Sequence, residues 1–158
     1  MSDRIPMTPS GFEKLKADLR HLKTVERPHN VQEIAEARAH GDISENAEFH
    51  AAKERQGHIE ARILQVEDRI ARAQVIEPGS GPPDAVRFGT TVVLEDTATG
   101  EEVIYTLVGE DESDVSSGRL SISSPVARAL LGKAEGDEVK VVVPKGSRAF
   151  EILEIRYD

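Results

Sequence analysis

Asp42 and Glu45 lie three residues apart in the polar stretch Gly41-Asp42-Ile43-Ser44-Glu45-Asn46. Carboxylate oxygens are hard ligands, and one or two of them suit a Mg²⁺ ion that keeps several of its waters. The same residue types have a plainer use. Asp or Ser ahead of a helix caps its N-terminus, and Glu in a first turn is favoured by the helix dipole. Spacing alone favours the capping role, with Ser44 as the cap of the following helix. The choice between the two uses depends on where the flanking elements place the acids.

Those elements are two long helical patterns. Thr8 fits an N-cap and Pro9 the first helical position, where a missing N–H costs nothing. Phe12, Leu15, Leu19 and Leu22 then form one apolar stripe. Pro28 is expected to kink this helix or shift its register, after which Val31, Ile34 and Ala35 resume an apolar face up to Gly41. A second helix is expected from Glu45 to about Ala73. Its Phe49, Ala52, Gln56, Ile59, Ile63, Val66, Ile70 and Ala73 follow the three-four spacing of a coiled-coil seam. Two long helices joined by a polar turn make an antiparallel hairpin. The acids then sit at its tip, away from any core, where they do little for stability and are well placed to enter another molecule's site. Small Ala52 and polar Gln56 near the turn put the firmest packing at the far end.

Pro78-Gly79-Ser80-Gly81-Pro82-Pro83 has the composition of a linker. Past it the period changes to two, with strands expected at Val92 to Leu94, Val103 to Val108, Leu120 to Ile122, Val139 to Val143 and Phe150 to Ile155. One helix interrupts them: Ser124 as cap, Pro125 first, Val126 to Leu131, then Gly132. The expected fold is α+β, with a coiled-coil hairpin over residues 1–76, a linker over 77–85 and a small, largely antiparallel β domain with one helix over 86–158.

Composition limits the function. The 158 residues contain no cysteine, which excludes disulfides and thiolate chemistry and fits a reducing cytoplasm. No apolar run approaches the roughly 20 residues of a membrane span, and the N-terminus lacks the apolar core of a signal peptide. The formal charge of −9 is uneven, with 12 basic and 13 acidic side chains in residues 1–76 against 8 and 16 in 77–158. Such a chain does not bind duplex nucleic acid through its general field, because that affinity comes from neutralising phosphates. His40 and His50 are ten residues apart without a ligand constellation, so no zinc is assigned.

The stretch from His40 to Glu54, His-Gly-Asp-Ile-Ser-Glu-Asn-Ala-Glu-Phe-His-Ala-Ala-Lys-Glu, resembles the signature of the Gre transcript cleavage factors. The likeness continues through Ala73-Gln74-Val75-Ile76, Ser123-Ser124-Pro125-Val126-Ala127-Arg128 and Leu131-Gly132-Lys133. It implies a factor that binds bacterial RNA polymerase and inserts its coiled coil through the secondary channel. A C-terminal domain similar in fold to FKBP-type prolyl isomerases docks at the entrance. Prolyl isomerase activity itself is not expected, because the domain offers only Phe88, Tyr105, Phe150 and Tyr157 for an aromatic pocket. The tip stimulates the polymerase's own site to hydrolyse the extruded 3′ end of backtracked RNA. Two-metal hydrolysis uses one ion to activate water and another to stabilise the leaving oxygen. By position the tip acids are Asp42 and Glu45. Asp42 is expected to help hold a Mg²⁺ shared with polymerase. Glu45 is expected to ligate that ion, directly or through water, or to orient the attacking water. The chain then has no cofactor of its own and is not itself an enzyme.

Arg38, His40, His50, Lys53 and Arg55 surround the tip. Such charges read as a solvated helical face, while the resemblance implies that Lys53 and Arg55 contact the phosphates of the nascent RNA. Ser123, Ser124 and Pro125 read as a helix cap, and the resemblance adds a contact with the polymerase rim. Ile43 and Phe49 depart from the commoner family motif, which has leucine and tyrosine there. Phe49 is expected to pack between the helices. Two other functions are weighed: a Gre-like regulator that occupies the channel and inhibits without stimulating cleavage, and a stand-alone coiled-coil scaffold. Intact acids disfavour the first. A monomer in the cytoplasm is expected.

Overall fold

Pro9 has no N–H to leave unpaired, and Thr8 Oγ1 accepts the Gly11 N–H at 3.1 Å, so the first helix begins as a capped, proline-led helix should. The computed structural model describes residues 3–42, 45–79 and 81–157, and in it α1 spans Pro9–His21. It continues through a π-helical turn, Leu22–Glu26, into α2, Arg27–Arg38. Pro28 is the physical cause, because its ring clashes with the preceding turn and it offers no N–H. The chain absorbs the clash in one wide turn, where the Arg27 N–H bonds the Leu22 carbonyl five residues back.

That wide turn moves the buried face by one residue. Leu15 and Leu22 are buried, and an unbroken seven-residue repeat would bring His29 and Glu36 inward next. Instead Asn30, Ile34 and Ala37 are buried. The expected face of Val31, Ile34 and Ala35 is therefore corrected: Ile34 is buried, whereas Val31 is 56% exposed and Ala35 is exposed.

Helix α3 spans Ala47–Ala71 and has 25 residues, roughly 37 Å at the α-helical rise. Phe49, Ala52, Ile59, Ile63 and Val66, all on the seam read from the sequence, are its buried residues. Ala73 is no longer helical. It opens β2, Ala73–Val75, which pairs with β1, Ile5–Met7. The helices are antiparallel, as their partners show: Lys23 meets Glu67, Arg27 meets Glu60 and Asn30 meets the Ala52 carbonyl. Residue numbers rise along one arm as they fall along the other.

The second part of the chain forms a five-stranded sheet from β3, Thr91–Asp96, β4, Glu102–Val108, β5, Arg119–Ser121, β6, Glu138–Val143, and β7, Gly146–Arg156. Their order is β5-β4-β3-β7-β6. All neighbours are antiparallel except β4 and β5, which run parallel, so the sheet is mixed. Helix α4, Pro125–Leu130, contributes Ala127 and Leu130 to a core with Val92, Leu94, Leu107 and Ile152. The register of β7 against β3 slips between Val93 and Leu94, which lets both Ile152 and Ile155 face inward although three residues apart.

The chain divides into two compact units, one of Phe12–Ala73 with Asp3, the other of Arg4–Gly11 with Gln74 onward. Residues 4–11 thus belong with the sheet, not with the helices that follow them. Glu112 explains this. Its carboxylate accepts the Thr8 N–H at 2.9 Å and the Gly109 N–H at 3.2 Å, and it also takes the Thr8 hydroxyl. Any Cβ at residue 11 would run into the Glu112 side chain, so the clamp requires Gly11.

Candidate functional site

Past the end of α2 at Arg38, the chain turns at Gly41, which adopts φ +110°, a conformation that L side chains rarely adopt. Asp42 follows and is exposed. Ile43 and Ser44 lie outside the described residues, and so does the expected Ser44 cap. The cap of α3 is Asn46, whose Oδ1 accepts the Phe49 N–H at 3.0 Å. Glu45 therefore stands just outside α3 rather than inside it, and it too is exposed. Asp42 and Glu45, with His40, Asn46, Ala47 and Glu48, line one open depression of about 420 Å³. The structure brings the two predicted acids together in one place.

Several contacts hold this turn. Asn46 Nδ2 donates to the Ala37 carbonyl at 2.6 Å, linking the start of α3 to the end of α2. His40 Nδ1 lies 3.1 Å from Glu48 Oε2. Beneath them, Phe49 packs with Ile34, Ala37 and Ala52, as expected for a seam residue. The Arg38 guanidinium lies 5.7 Å from the Phe49 ring centroid, and the His50 ring meets it edge-on at 5.8 Å. One helical turn further, Asn30 is 2% exposed and its Nδ2 donates to the Ala52 carbonyl at 2.9 Å.

The two basic residues singled out in the sequence differ in their engagements. Arg55 pairs with Glu33 across the helices. Hydrogen bonding to Glu33 raises the Arg55 pKa above its ordinary value and holds the Glu33 carboxyl below its own. Lys53 is exposed, and its Nζ donates to Gln56 Oε1 at 2.8 Å. Arg55 is thus a strut between α2 and α3, a role the sequence reading did not foresee. Arg27 makes a second strut, a two-point pair with Glu60 at 2.9 and 2.8 Å.

In the sheet unit, Ser124 Oγ accepts the Ala127 N–H at 3.2 Å and caps α4, as expected. Ser123 and Pro125 are exposed beside it, and Ser123 Oγ lies 2.8 Å from Ser121 Oγ. Among the described residues no group of three or more His, Asp or Glu side chains could hold a metal ion. Also among them, no helix is long and apolar enough to cross a membrane. Sequence reasoning also missed Asn46 as the cap of α3, and it missed the Glu112 clamp. For Asn46 a signal was present, since asparagine is as good a cap as serine.

Fold and tip together define a hairpin-bearing factor of the α+β class. Comparison with known proteins makes this specific. The family model for the N-terminal part of transcription elongation factors matches residues 5–75, and that for the C-terminal part of GreA/GreB matches residues 81–157. The chain belongs to the GreA/GreB family of transcription elongation factors. It is 54% identical over 155 residues to "Transcription elongation factor GreA" of Brucella canis, covering 98% of this chain and 99% of that protein. The same figures hold for that of Brucella melitensis biotype 1. Among solved structures it is 32% identical to the GreA factor homolog 1 (Gfh1) of Thermus thermophilus, over 97% of this chain and 99% of that one, with a TM-score of 0.43. It is 26% identical to a GreA/GreB factor of Nitrosomonas europaea, over 98% and 100%, with a TM-score of 0.44.

Proposed function

We propose that this chain binds RNA polymerase, enters its secondary channel with the hairpin and stimulates endonucleolytic cleavage of the 3′ end of backtracked RNA, so rescuing arrested complexes. The observation that carries the reading is the pair of exposed carboxylates, Asp42 and Glu45, presented together on a turn braced from both helices. Membership of the GreA/GreB family supports it.

The residues present fit a shared Mg²⁺. Two exposed carboxylates supply the one or two hard oxygen ligands such an ion takes from protein. Bound there, the ion would supply one half of the two-metal chemistry, activating water or stabilising the leaving oxygen, with the polymerase's own ion supplying the other. Asp42 holds the ion. Glu45 either shares it or accepts a hydrogen bond from the attacking water. The chain provides ligands and orientation, while the hydrolytic site is the polymerase's own.

Lys53, exposed on α3, is the better placed of the two basic residues to meet a phosphate of the nascent RNA. Arg55 joins it only by leaving Glu33. Ser123 and Pro125, exposed beside the Ser124 cap, form the docking contact with the polymerase rim.

Asp42→Asn is the decisive test on stalled, backtracked complexes supplied with Mg²⁺. The expected outcome is loss of short 3′ RNA fragments with unchanged affinity for polymerase. Retained cleavage would remove Asp42 from the ion.

A further inference from the structure

We infer that Asn46 is a positioning residue for the two acids, through a bond that has nothing to do with its capping role. The inference rests on the functional reading above, and adds to it the group that sets the turn's geometry.

The eight residues between Ala37 and Asn46 carry both Asp42 and Glu45. Each residue fixed in one backbone well gives up about 1–2 kcal/mol of conformational entropy, so presenting the acids in one place needs contacts that offset that cost. The Asn46 amide makes two such contacts. On one side Oδ1 accepts the Phe49 N–H at 3.0 Å, which satisfies an orphan donor of α3. On the other side Nδ2 donates to the Ala37 carbonyl at 2.6 Å, an acceptor near the end of α2 that also takes the His40 N–H at 3.2 Å. One planar group therefore ties the two mouths of the turn together. The orientation of the amide is settled by its partners: turned over, Nδ2 would face an N–H and Oδ1 would face a carbonyl.

Only asparagine does both jobs with this reach. Aspartate accepts the Phe49 N–H but has no donor for Ala37 and adds a further negative charge beside Asp42, Glu45 and Glu48. Serine caps as well as asparagine, and its hydroxyl is too short to span to α2. Alanine does neither. This graded series separates the cap from the clasp. His40 and Glu48, 3.1 Å apart, make a second and exposed link across the same turn.

The clasp matters for chemistry because ligands shared between two proteins must already be in place when they meet. A misplacement of about 1 Å can cost on the order of 100-fold in rate. A turn freed at its mouth still carries both acids but presents them over a wider spread of positions.

Asn46→Ser and Asn46→Ala in the full-length chain test this. Two measurements are made on each: amide hydrogen exchange of the factor alone, and cleavage of backtracked complexes across a Mg²⁺ series. For Asn46→Ser we expect faster exchange at His40 and Gly41 with Phe49 still protected. We also expect a maximal cleavage rate lower by roughly 10- to 100-fold, partly restored by more Mg²⁺, with polymerase affinity and thermal midpoint unchanged. Asn46→Ala should add exposure of the Phe49 amide and a lower midpoint. Unchanged exchange at His40 and Gly41 in Asn46→Ser overturns the clasp. Faster exchange with wild-type cleavage overturns its positioning role, as does a loss seen in Asn46→Ala alone. A wild-type chain that stimulates no cleavage would instead sink the functional reading, and the exchange data would still decide whether the clasp exists.

Discussion

The hairpin and the sheet unit hold their residues in place by different means. In the sheet unit a core that includes Val92, Leu94, Leu107, Leu130 and Ile152 is shut off from water on all sides, and strand pairing follows from which residues alternate inward. The hairpin has one narrow seam. Its far half is filled by Ile59, Ile63 and Val66, while the half near the turn offers Ala52, Phe49 and a buried polar residue, Asn30. An apolar seam tolerates sliding by whole turns. A buried amide aimed at one carbonyl does not, since any slide leaves it unpaired. In the half of the hairpin near the turn, the protein uses hydrogen bonds of defined partner, Asn30 to Ala52 and Asn46 to Ala37. Where it needs only a stable platform, it uses bulk apolar burial.

The largest expected effect lies in the platform. Ile152→Ala removes a fully buried side chain and should cost about 2–5 kcal/mol. The chain has no tryptophan, and both tyrosines, Tyr105 and Tyr157, belong to the sheet unit. Tyrosine fluorescence during denaturation therefore reports that unit alone. An unaltered tyrosine transition would show that this core does not carry the unit's stability.

A smaller loss, confined to the hairpin, is expected from Asn30→Ala. It leaves the Ala52 carbonyl short of a buried partner, at roughly 1–3 kcal/mol. Helical circular dichroism should then melt earlier while the tyrosine transition holds. Asn30→Leu sharpens the comparison: greater helix stability with loss of unique register would confirm that the amide serves specificity. A unique register with apolar leucine in place would contradict it.

The exposed struts come last. Glu60 and Glu33 are held below the ordinary carboxylate range by Arg27 and Arg55. A depressed folded pKa means that the unfolded chain takes up protons first as pH falls. Their contribution is present above the unfolded carboxylate value and disappears as pH falls through the folded one. Arg27→Gln should flatten the acid side of the hairpin's stability profile slightly and reduce its response to salt. An acid profile unchanged by the substitution would show that this pair contributes nothing.

Much of this was legible in the chain itself. The proline-led start at Thr8 and Pro9, the five buried positions of α3, the five strands and the Ser124 cap all follow from local rules of capping and period. The acids were legible too, since the polar turn that carries them stands between two helical patterns. The failures share a cause. Pro28 announced a disturbance, but only packing against α3 decided that a π-helical turn would absorb it and bring Asn30 inward rather than Val31.

The sequence alone determined the two long helical arms, the five strands of the sheet and that Asp42 and Glu45 share one turn, because those properties depend on residues a few positions apart. Tertiary structure decided what each polar side chain does once distant segments meet. Asn46 reaches the Ala37 carbonyl, Arg55 is taken by Glu33 from 22 residues away, and Glu112 clamps Thr8 from 104 residues away. A hydrogen bond is made or lost over a few tenths of an ångström, and only the folded chain brings donor and acceptor that close.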